Sequence, residues 1–296
     1  MTRPQLPPTG NPVTSLRLTK LHGCGNDFLV LIDRARHRPL DRRWARALCD
    51  RHEGVGADGV LTALAPTQGG DVRLVIQNAD GTRARMSGNG VRCLAAALVE
   101  SGLAEPGEVV VETDAGARRV RVDPTAASEW TTSVEMGKVR LGSECLTTRS
   151  RWRSRTAVLG NRHLVVLVDS LDTVDIDAIG PQLAREAGDV NIEWVAADAA
   201  GDGIEILVWE RGVGVTRACG TGSCAAAAAA RGWGMAGDDV RVRNPGGTLR
   251  VELRGPGPER IDARLTGPVQ LVAHIEVDPR RLHAWTTGPR ASGRSG

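Results

Sequence analysis

Two short Gly-x-Gly segments, each followed by an Ala-rich stretch, constrain the fold of this chain more than any other feature. The first is Ser87-Gly88-Asn89-Gly90 and the second is Cys219-Gly220-Thr221-Gly222. Each segment places a side chain that can carry a proton directly before a sequence of helical character. A single match between distant segments indicates two related halves, because a repeat array would show a shorter period many times. Two such halves could bring their equivalent helix starts face to face across a cleft.

Hydrophobic periodicity and turn residues predict the elements around these segments. Strands are predicted at 16–32 (a pair around a Gly-rich turn), 72–77, 109–112, 117–122, 164–168, 203–209, 240–243, 248–253, 261–265 and 269–277. Helices are predicted at 41–51, 90–101, 181–187 and 219–231, the third with Pro181 in its first turn. Residues 78–81 read Asn-Ala-Asp-Gly, which favours a hairpin turn.

The paired helix starts suggest a particular chemistry. The N-terminus of a helix carries free N–H groups and partial positive charge, and glycine lets a ligand approach that backbone closely. Two facing termini would bind one small anion, most simply a carboxylate, and would lower the pKa of a thiol placed there. Such a site could remove an α-proton from one face and return a proton to the other. Alternatively, the glycines only permit tight packing and the cysteines are small buried hydrophobes.

Composition excludes several other classes of protein. The chain of 296 residues has no Tyr, one Phe and only two Lys. The absence of Tyr excludes catalysis by a phenol group. With two Lys, almost no candidate remains for a Schiff base or for the lysine of a Walker-type phosphate loop. A net charge of +3 with interspersed signs gives no nucleic-acid footprint. No apolar run could span a membrane and no signal peptide is present, so we expect a cytoplasmic protein. No cysteine pair has C-x-x-C spacing, so we expect no metal site.

An ordered series of motifs then resembles the diaminopimelate epimerase family over about residues 16–277. The motifs are Lys20-Leu-His-Gly-Cys-Gly-Asn-Asp-Phe28, Arg51-His-Glu-Gly-Val-Gly-Ala-Asp-Gly59, Asn78-Ala-Asp-Gly81, Met86-Ser-Gly-Asn-Gly-Val-Arg-Cys93, Gly160-Asn-Arg-His163, Asp189-Val-Asn191, Glu210-Arg-Gly212 and Ala218-Cys-Gly-Thr-Gly222. So many motifs in one order are highly specific.

The resemblance implies an α/β (α+β) fold of two pseudo-symmetric halves, each a curved, mostly antiparallel sheet around a central helix. With the polar chain ends, it divides the chain into a disordered lead (1–15), an N-terminal half (16–145), a C-terminal half (146–268), a last strand returning to the first half (269–287) and a disordered tail (288–296). The implied activity is cofactor-independent epimerisation of LL-diaminopimelate to meso-diaminopimelate, a lysine and peptidoglycan precursor. The implied partners are this small amino acid, with its distal charged group, and a second copy in a homodimer.

The resemblance also implies roles for individual residues. Cys219 is one catalytic thiol, and Ser87 occupies the other catalytic position. The residues expected to hold the reacting carboxylate through backbone N–H groups are Gly88, Asn89, Gly220 and Thr221. The residues expected to bind the rest of the substrate are Asn26, Asn78, Asn161, Asn191, Glu210 and Arg211, with Arg211 facing a distal carboxylate and Glu210 an ammonium. His163 is expected to support the electrostatics of the second thiol or the pocket shape.

The sequence departs from the family pattern at two positions. Ser87 stands where the family has its other catalytic Cys, and an alcohol is far less acidic than a thiol. Arg162 stands where the family usually has Pro, which adds a cation near the site. Three interpretations stay open: an engineered substitution, a natural variant in which Cys219 is the main base, or a diverged paralogue that racemises or eliminates from another amino acid. A non-catalytic amino-acid binder is a further alternative.

Overall fold

The structure, a computed structural model, describes residues 16–33, 39–147, 152–199, 201–255, 257, 260–278 and 280–281. The predicted disordered lead at 1–15 and tail at 288–296 lie outside these residues. The elements of the first half are β1 (Leu16–Gly23), β2 (Asn26–Ile32), α1 (Arg42–Cys49), β3 (Gly59–Leu64), β4 (Val72–Asn78), β5 (Arg83–Ala84), α2 (Gly88–Glu100), β6 (Gly107–Thr113) and β7 (Gly116–Ala126).

A long strand, β8 (Glu129–Leu146), leads from the first half into the second and runs across the predicted boundary between residues 145 and 146. The following elements are β9 (Arg153–Leu159), β10 (Asn161–Leu167), a 3₁₀ turn (Leu171–Thr173), α3 (Ile176–Glu186), β11 (Asn191–Ala197), β12 (Gly203–Glu210), β13 (Gly214–Thr216), α4 (Gly220–Gly232), β14 (Asp239–Asn244), β15 (Gly247–Arg254) and β16 (Ile261–Val277). The division of the chain into halves at that boundary stays a prediction.

The described strands form one continuous, mostly antiparallel sheet that curves around two helices. Helix α2 packs on β1, β2, β7 and β8, and helix α4 packs on β8 to β12 and β15. Residues Gly88 to Leu98 of α2 and Gly220 to Ala230 of α4 are all buried, as expected for helices enclosed on every side. The six alanines Ala225 to Ala230 are fully buried, so the sheet approaches α4 closely. The predicted fold class is confirmed.

Strand β16 was predicted as two strands, at 261–265 and 269–277, and this division is wrong. Gly267 and Pro268 indicate a break by local rules, but the register of β16 with β8 continues through both residues. The beginning of β16 also pairs with β15, and its end pairs with β1, from Leu16 opposite Val277 to His22 opposite Gln270. Pairing with three neighbouring strands therefore outweighs the local signal for a break.

The third predicted helix has the wrong start. We expected it at residue 181, but α3 begins five residues earlier, where the Asp175 side chain accepts a hydrogen bond from the Ala178 N–H at 3.1 Å. Pro181 consequently lies inside the helix. The Asp175 cap sets the helix start here, rather than the preference of proline for the first turn.

Candidate active site

The residues before the two central helices have equivalent conformations and equivalent contacts. Ser87 (φ −142°, ψ 120°) caps α2, and its Oγ accepts a hydrogen bond from the Gly90 N–H at 3.0 Å. Cys219 (φ −126°, ψ 116°) caps α4, and its Sγ accepts from the Gly222 N–H at 3.4 Å. Serine is among the preferred N-cap residues and cysteine is not.

Glycine is required where these two helix starts meet. A Cβ added at Gly220 would lie 3.1 Å from the Gly88 Cα and 2.9 Å from a methyl carbon of Leu265. A Cβ added at Gly88 would lie 3.3 Å from the Gly220 Cα. The backbones of the two helix starts are thus in van der Waals contact. The first residues of both helices, Gly88, Gly220 and Thr221, line one cavity.

A cavity of about 450 Å³ opens beside this contact. The predicted site residues that line it are Asn26, Asn78, Ser87, Gly88, Asn161, Asn191, Glu210, Arg211, Cys219, Gly220 and Thr221. These residues come from both halves of the chain. Four charged side chains that were given no role in the predicted site also line the cavity: Asp58, Arg83, Arg85 and Asp189. Their charges could not be placed from the sequence, because their distance from the site depends on the packing of the halves.

Two predicted site residues do not line the cavity. Asn89 is 1% exposed, and its Nδ2 donates to the Asn26 Oδ1 at 3.1 Å and to the Ala218 carbonyl at 3.3 Å. Its side chain thereby joins the first-half site to the residue before Cys219. His163 is also buried, and its Nδ1 lies 2.7 Å from the Glu193 Oε1.

Glu193 is a buried carboxylate that the sequence did not single out. Its side chain is fully buried, and a Cβ at Gly222 would lie 2.5 Å from its Oε1, so it packs beneath the first turn of α4. Neither the second oxygen of Glu193 nor the Nε2 of His163 has a hydrogen-bond partner in the described structure. Glu193 lies among apolar residues of β11, and nothing in the sequence places it near α4. Only the tertiary packing shows that its charge acts on the start of this helix.

These carboxylates reverse one sequence-based expectation. Burial and the charges of Glu210 and Glu193 raise the pKa of the Cys219 thiol well above its ordinary value, although hydrogen bonds with Thr221 and the Gly222 N–H lower it. The prediction of a depressed thiol pKa is therefore wrong for the free protein. The helix terminus does stabilise a thiolate, but desolvation and two nearby negative charges outweigh it.

Burial also raises the pKa of the Glu210 carboxyl, and the charge of Glu193 adds to this effect. The Glu210 Oε1 accepts a hydrogen bond from the Thr216 hydroxyl at 2.8 Å. Two groups with raised pKa values, Glu210 and Cys219, thus lie side by side. A negative charge on the Glu210 carboxyl disfavours a negative charge on the Cys219 thiol, and the reverse also holds. The two groups therefore gain and lose protons as a coupled pair.

Farther from the helix starts, the cavity contains amide and guanidinium groups. The Asn78 Nδ2 donates to the Thr82 hydroxyl at 3.1 Å, and the Asn191 Oδ1 accepts from the Arg211 backbone N–H at 3.0 Å. Arg162 lines the cavity, and its Nη1 donates to the Gly188 carbonyl at 3.4 Å. Arg162, one of the two positions at which the sequence departs from the family pattern, thus borders the cavity and not only solvent.

Among the described residues, no group of three or more His, Cys, Asp and Glu could hold a metal ion. No helix in the described part of the chain is long and apolar enough to cross a membrane. The arrangement that remains is a pair of touching helix starts, one capped by a thiol and the other by a hydroxyl.

The motif series and this geometry agree with a comparison against known families. A family model described as diaminopimelate epimerase matches residues 18–142 and 155–272. The chain belongs to the diaminopimelate epimerase family. It is therefore an isomerase of the epimerase type.

Individual relatives agree with this assignment. A diaminopimelate epimerase of Halorhodospira halophila is 36% identical over 93% of this chain and 99% of its own length. One of Synechocystis is 35% identical over 87% of this chain and 97% of its own length. Among solved structures, a hydroxyproline epimerase from Agrobacterium vitis with bound trans-4-hydroxy-L-proline has a TM-score of 0.71 at 20% identity, covering 90% of this chain and 93% of that one. This last likeness shows a shared fold.

Proposed function

We propose that this protein converts LL-diaminopimelate to meso-diaminopimelate without a cofactor, by moving a proton between the two faces of one α-carbon. One observation carries the proposal. Two equivalent helix starts, capped by Cys219 and Ser87, meet at Gly88 and Gly220 beside a cavity that contains polar groups suited to a second amino-carboxylate.

In the proposed mechanism, the reacting carboxylate lies between the first turns of α2 and α4. The N–H groups of Gly88, Asn89, Gly220 and Thr221 donate to it, and both helix dipoles stabilise the charge that develops when the α-proton leaves. These donors are fixed by the helix backbones before the substrate binds. Their stabilisation therefore needs no reorganisation during the reaction.

Cys219 acts on one face of the α-carbon and Ser87 on the other. Because the free protein disfavours a thiolate, we infer that Cys219 loses its proton only when the substrate brings its ammonium group beside Glu210. The ammonium compensates the negative charge of the pair, which lowers the pKa of the thiol. Ser87 has no comparable acidity and exchanges a proton slowly, directly or through water.

The distal end of the substrate is proposed to occupy the rest of the cavity. The Arg211 guanidinium matches a distal carboxylate, and the amides of Asn26, Asn78, Asn161 and Asn191 supply further donors and acceptors. The names of the matching family and of the two relatives described above support this substrate, since each is a diaminopimelate epimerase. Arg162 supports the diverged-substrate alternative, because it adds a cation to the cavity wall.

The test compares the wild type, Ser87→Cys and Cys219→Ser on LL- and meso-diaminopimelate in deuterated water, with NMR detection of α-deuteration and of inversion. We expect the wild type to exchange the α-hydrogen facing Cys219 faster than it inverts the centre. Ser87→Cys should raise inversion by at least about a hundredfold, since a thiol replaces an alcohol as acid–base group. Cys219→Ser, which keeps an N-cap oxygen, should lose exchange on its face.

Four other outcomes would contradict parts of the proposal. If neither the wild type nor Ser87→Cys exchanges deuterium, the substrate assignment is wrong. Calorimetric binding without exchange in either form supports the non-catalytic binder instead. If Ser87→Cys inverts no faster than the wild type, residue 87 is not the second acid–base position. An unsaturated or keto product from a β-substituted amino acid supports the lyase alternative.

A further inference from the structure

Four side chains form a continuous hydrogen-bonded chain from the protein core to the rim of the cavity. The Arg92 Nη2 donates to the Asn89 Oδ1 at 2.6 Å. The Asn89 Nδ2 donates to the Asn26 Oδ1 at 3.1 Å, and the Asn26 Nδ2 donates to the Asp58 Oδ2 at 2.7 Å. Every bond in this series runs in the same direction, from Arg92 towards Asp58. We call these four residues the amide relay.

Arg92 is a donor-only end that is held rigidly. It is fully buried, and no carboxylate in the described part of the chain pairs with it. Its Nη1 donates to the Thr132 hydroxyl at 3.3 Å and to the Pro268 carbonyl at 3.1 Å. A Cβ at Gly23 or Gly267 would lie within about 3 Å of the guanidinium. The two glycines therefore leave the space that this arginine occupies, and the guanidinium can only donate to Asn89.

Asp58 is the acceptor end. Its Oδ2 accepts from the Asn26 side chain and from the Asp27 backbone N–H at 3.2 Å. Its Oδ1 accepts from the Arg51 Nη2 at 2.8 Å, and Arg51 also binds Asp27. Donors thus face both oxygens of Asp58. An ionised carboxylate satisfies them all, because it offers acceptors only.

An isolated asparagine can exchange its oxygen and nitrogen by rotating the amide, and nothing in its shape prevents this. Between a donor-only end and an acceptor-only end, both amides have one orientation that satisfies every hydrogen bond. We propose that Arg92 and Asp58 are positioning residues that fix the amide orientation of Asn26 in the cavity, and thereby its preference for the polar group of the substrate. This inference rests on the proposed function, in which Asn26 contacts the substrate.

The relay also reaches the catalytic thiol. The Asn89 Nδ2 donates to the carbonyl of Ala218, the residue before Cys219, in addition to Asn26. The Arg92 guanidinium, by fixing Asn89, therefore orients a first-half amide and also ties it to the turn that carries Cys219. The two halves share one hydrogen-bonding unit at the point where the substrate must fit.

Asp58→Asn tests the acceptor end with almost no change in shape. The new amide has one oxygen, which the charged Arg51 guanidinium will take. Its NH₂ group then meets the Asn26 Nδ2, two donors face each other, and Asn26 must turn over. We expect KM for diaminopimelate to rise about tenfold while kcat changes less than about threefold, with circular dichroism and melting temperature unchanged. Asp239→Asn, which removes a surface carboxylate paired with Arg250, is the matched control.

A double variant separates positioning from general structure. Asn26→Ala should itself raise KM, and adding Asp58→Asn to it should cause less than a twofold further rise, because the amide that Asp58 orients is gone. A further tenfold rise in the double variant overturns the proposal. An unchanged KM in Asp58→Asn alone also overturns it, provided that the wild type is active. A wild type with no turnover refutes the proposed function instead.

The donor end is tested in the same assay. Arg92→Met removes every donor and should raise KM about tenfold, whereas Arg92→Lys keeps a donor-only group and should raise it less. If both variants keep the wild-type KM, Arg92 has no positioning role. If Arg92→Met does not fold, the Asp58 single and double variants still decide the proposal.

Discussion

Gly220→Ala tests whether the contact between the two helix starts is needed for activity. The added Cβ would lie 2.9 Å from a Leu265 methyl carbon and 3.1 Å from the Gly88 Cα. Carbon atoms that are not bonded prefer about 3.5–4.0 Å, so the two helix starts must separate by roughly 0.5–1 Å. Alanine also favours the helix over glycine by about 1 kcal/mol at most, which offsets part of the strain.

The expected effects on stability and on activity therefore differ in size. Overpacking costs about 1–3 kcal/mol, so the net loss of stability is roughly 0–2 kcal/mol, a few degrees in melting temperature. In the proposed function, however, both first turns hold the reacting carboxylate, and a misplacement of about 1 Å can cost about a hundredfold in rate. We expect kcat/KM for α-deuterium exchange to fall by about that factor.

Gly237→Ala is the matched control, because a Cβ at Gly237 would meet nothing within 4 Å. It should leave both the melting temperature and kcat/KM unchanged. Wild-type kcat/KM in Gly220→Ala would refute the reasoning, since the helix starts would then tolerate separation. A loss of activity that only matches a loss of folded protein, measured by circular dichroism in the same samples, would also refute it.

Two further predictions concern ionisation. Burial raises the pKa of Glu112, but hydrogen bonds from the N–H groups of residues 67, 68 and 70 outweigh this effect and lower the pKa to about 2. The ionised Glu112 therefore stabilises the fold above about pH 4.5, and this stabilisation is lost as the pH falls towards 2. Glu112→Gln should be less stable than the wild type in urea at pH 7, with the difference disappearing near pH 2; a difference that is constant with pH would contradict this. Because Glu210 raises the pKa of Cys219, Glu210→Gln should shift the pH profile of Cys219 alkylation by iodoacetamide to lower pH, and Glu205→Gln, on the same strand, should not.

Much of the fold follows from local signals. The Gly-rich turn between β1 and β2, the Asn-Ala-Asp-Gly hairpin and the two Ala-rich helices were all predictable, because turn residues and caps act over a few positions. The strands β3, β5, β8, β9, β11 and β13 were not predicted. Strand β8 alternates buried and exposed residues for most of its length, but glycines and polar residues obscure that alternation in the sequence.

The candidate site, like the fold, was predictable from the sequence only in part. The motifs selected eleven residues that line the cavity, but they also selected Asn89 and His163, which do not line it, and gave no role to four charged residues that do. The roles of Glu193, Arg92 and Asp58 were not accessible from the motifs. Each depends on contacts with residues more than 20 positions away, such as the bonds of Glu193 to His163 and of Arg92 to Pro268.

The amino-acid sequence alone shows that there are two equivalent helix starts, one preceded by a thiol and the other by a hydroxyl, and that the chain belongs to the diaminopimelate epimerase family. Caps, glycines and motif order are local properties, so they can be recognised without coordinates. The contact between the two starts, and the burial and nearby carboxylates that raise the pKa of the Cys219 thiol, became visible only in the folded arrangement of the chain. Both depend on distant parts of the chain: burial and the charges of Glu210 and Glu193 raise the pKa of the thiol, although the helix terminus alone would lower it.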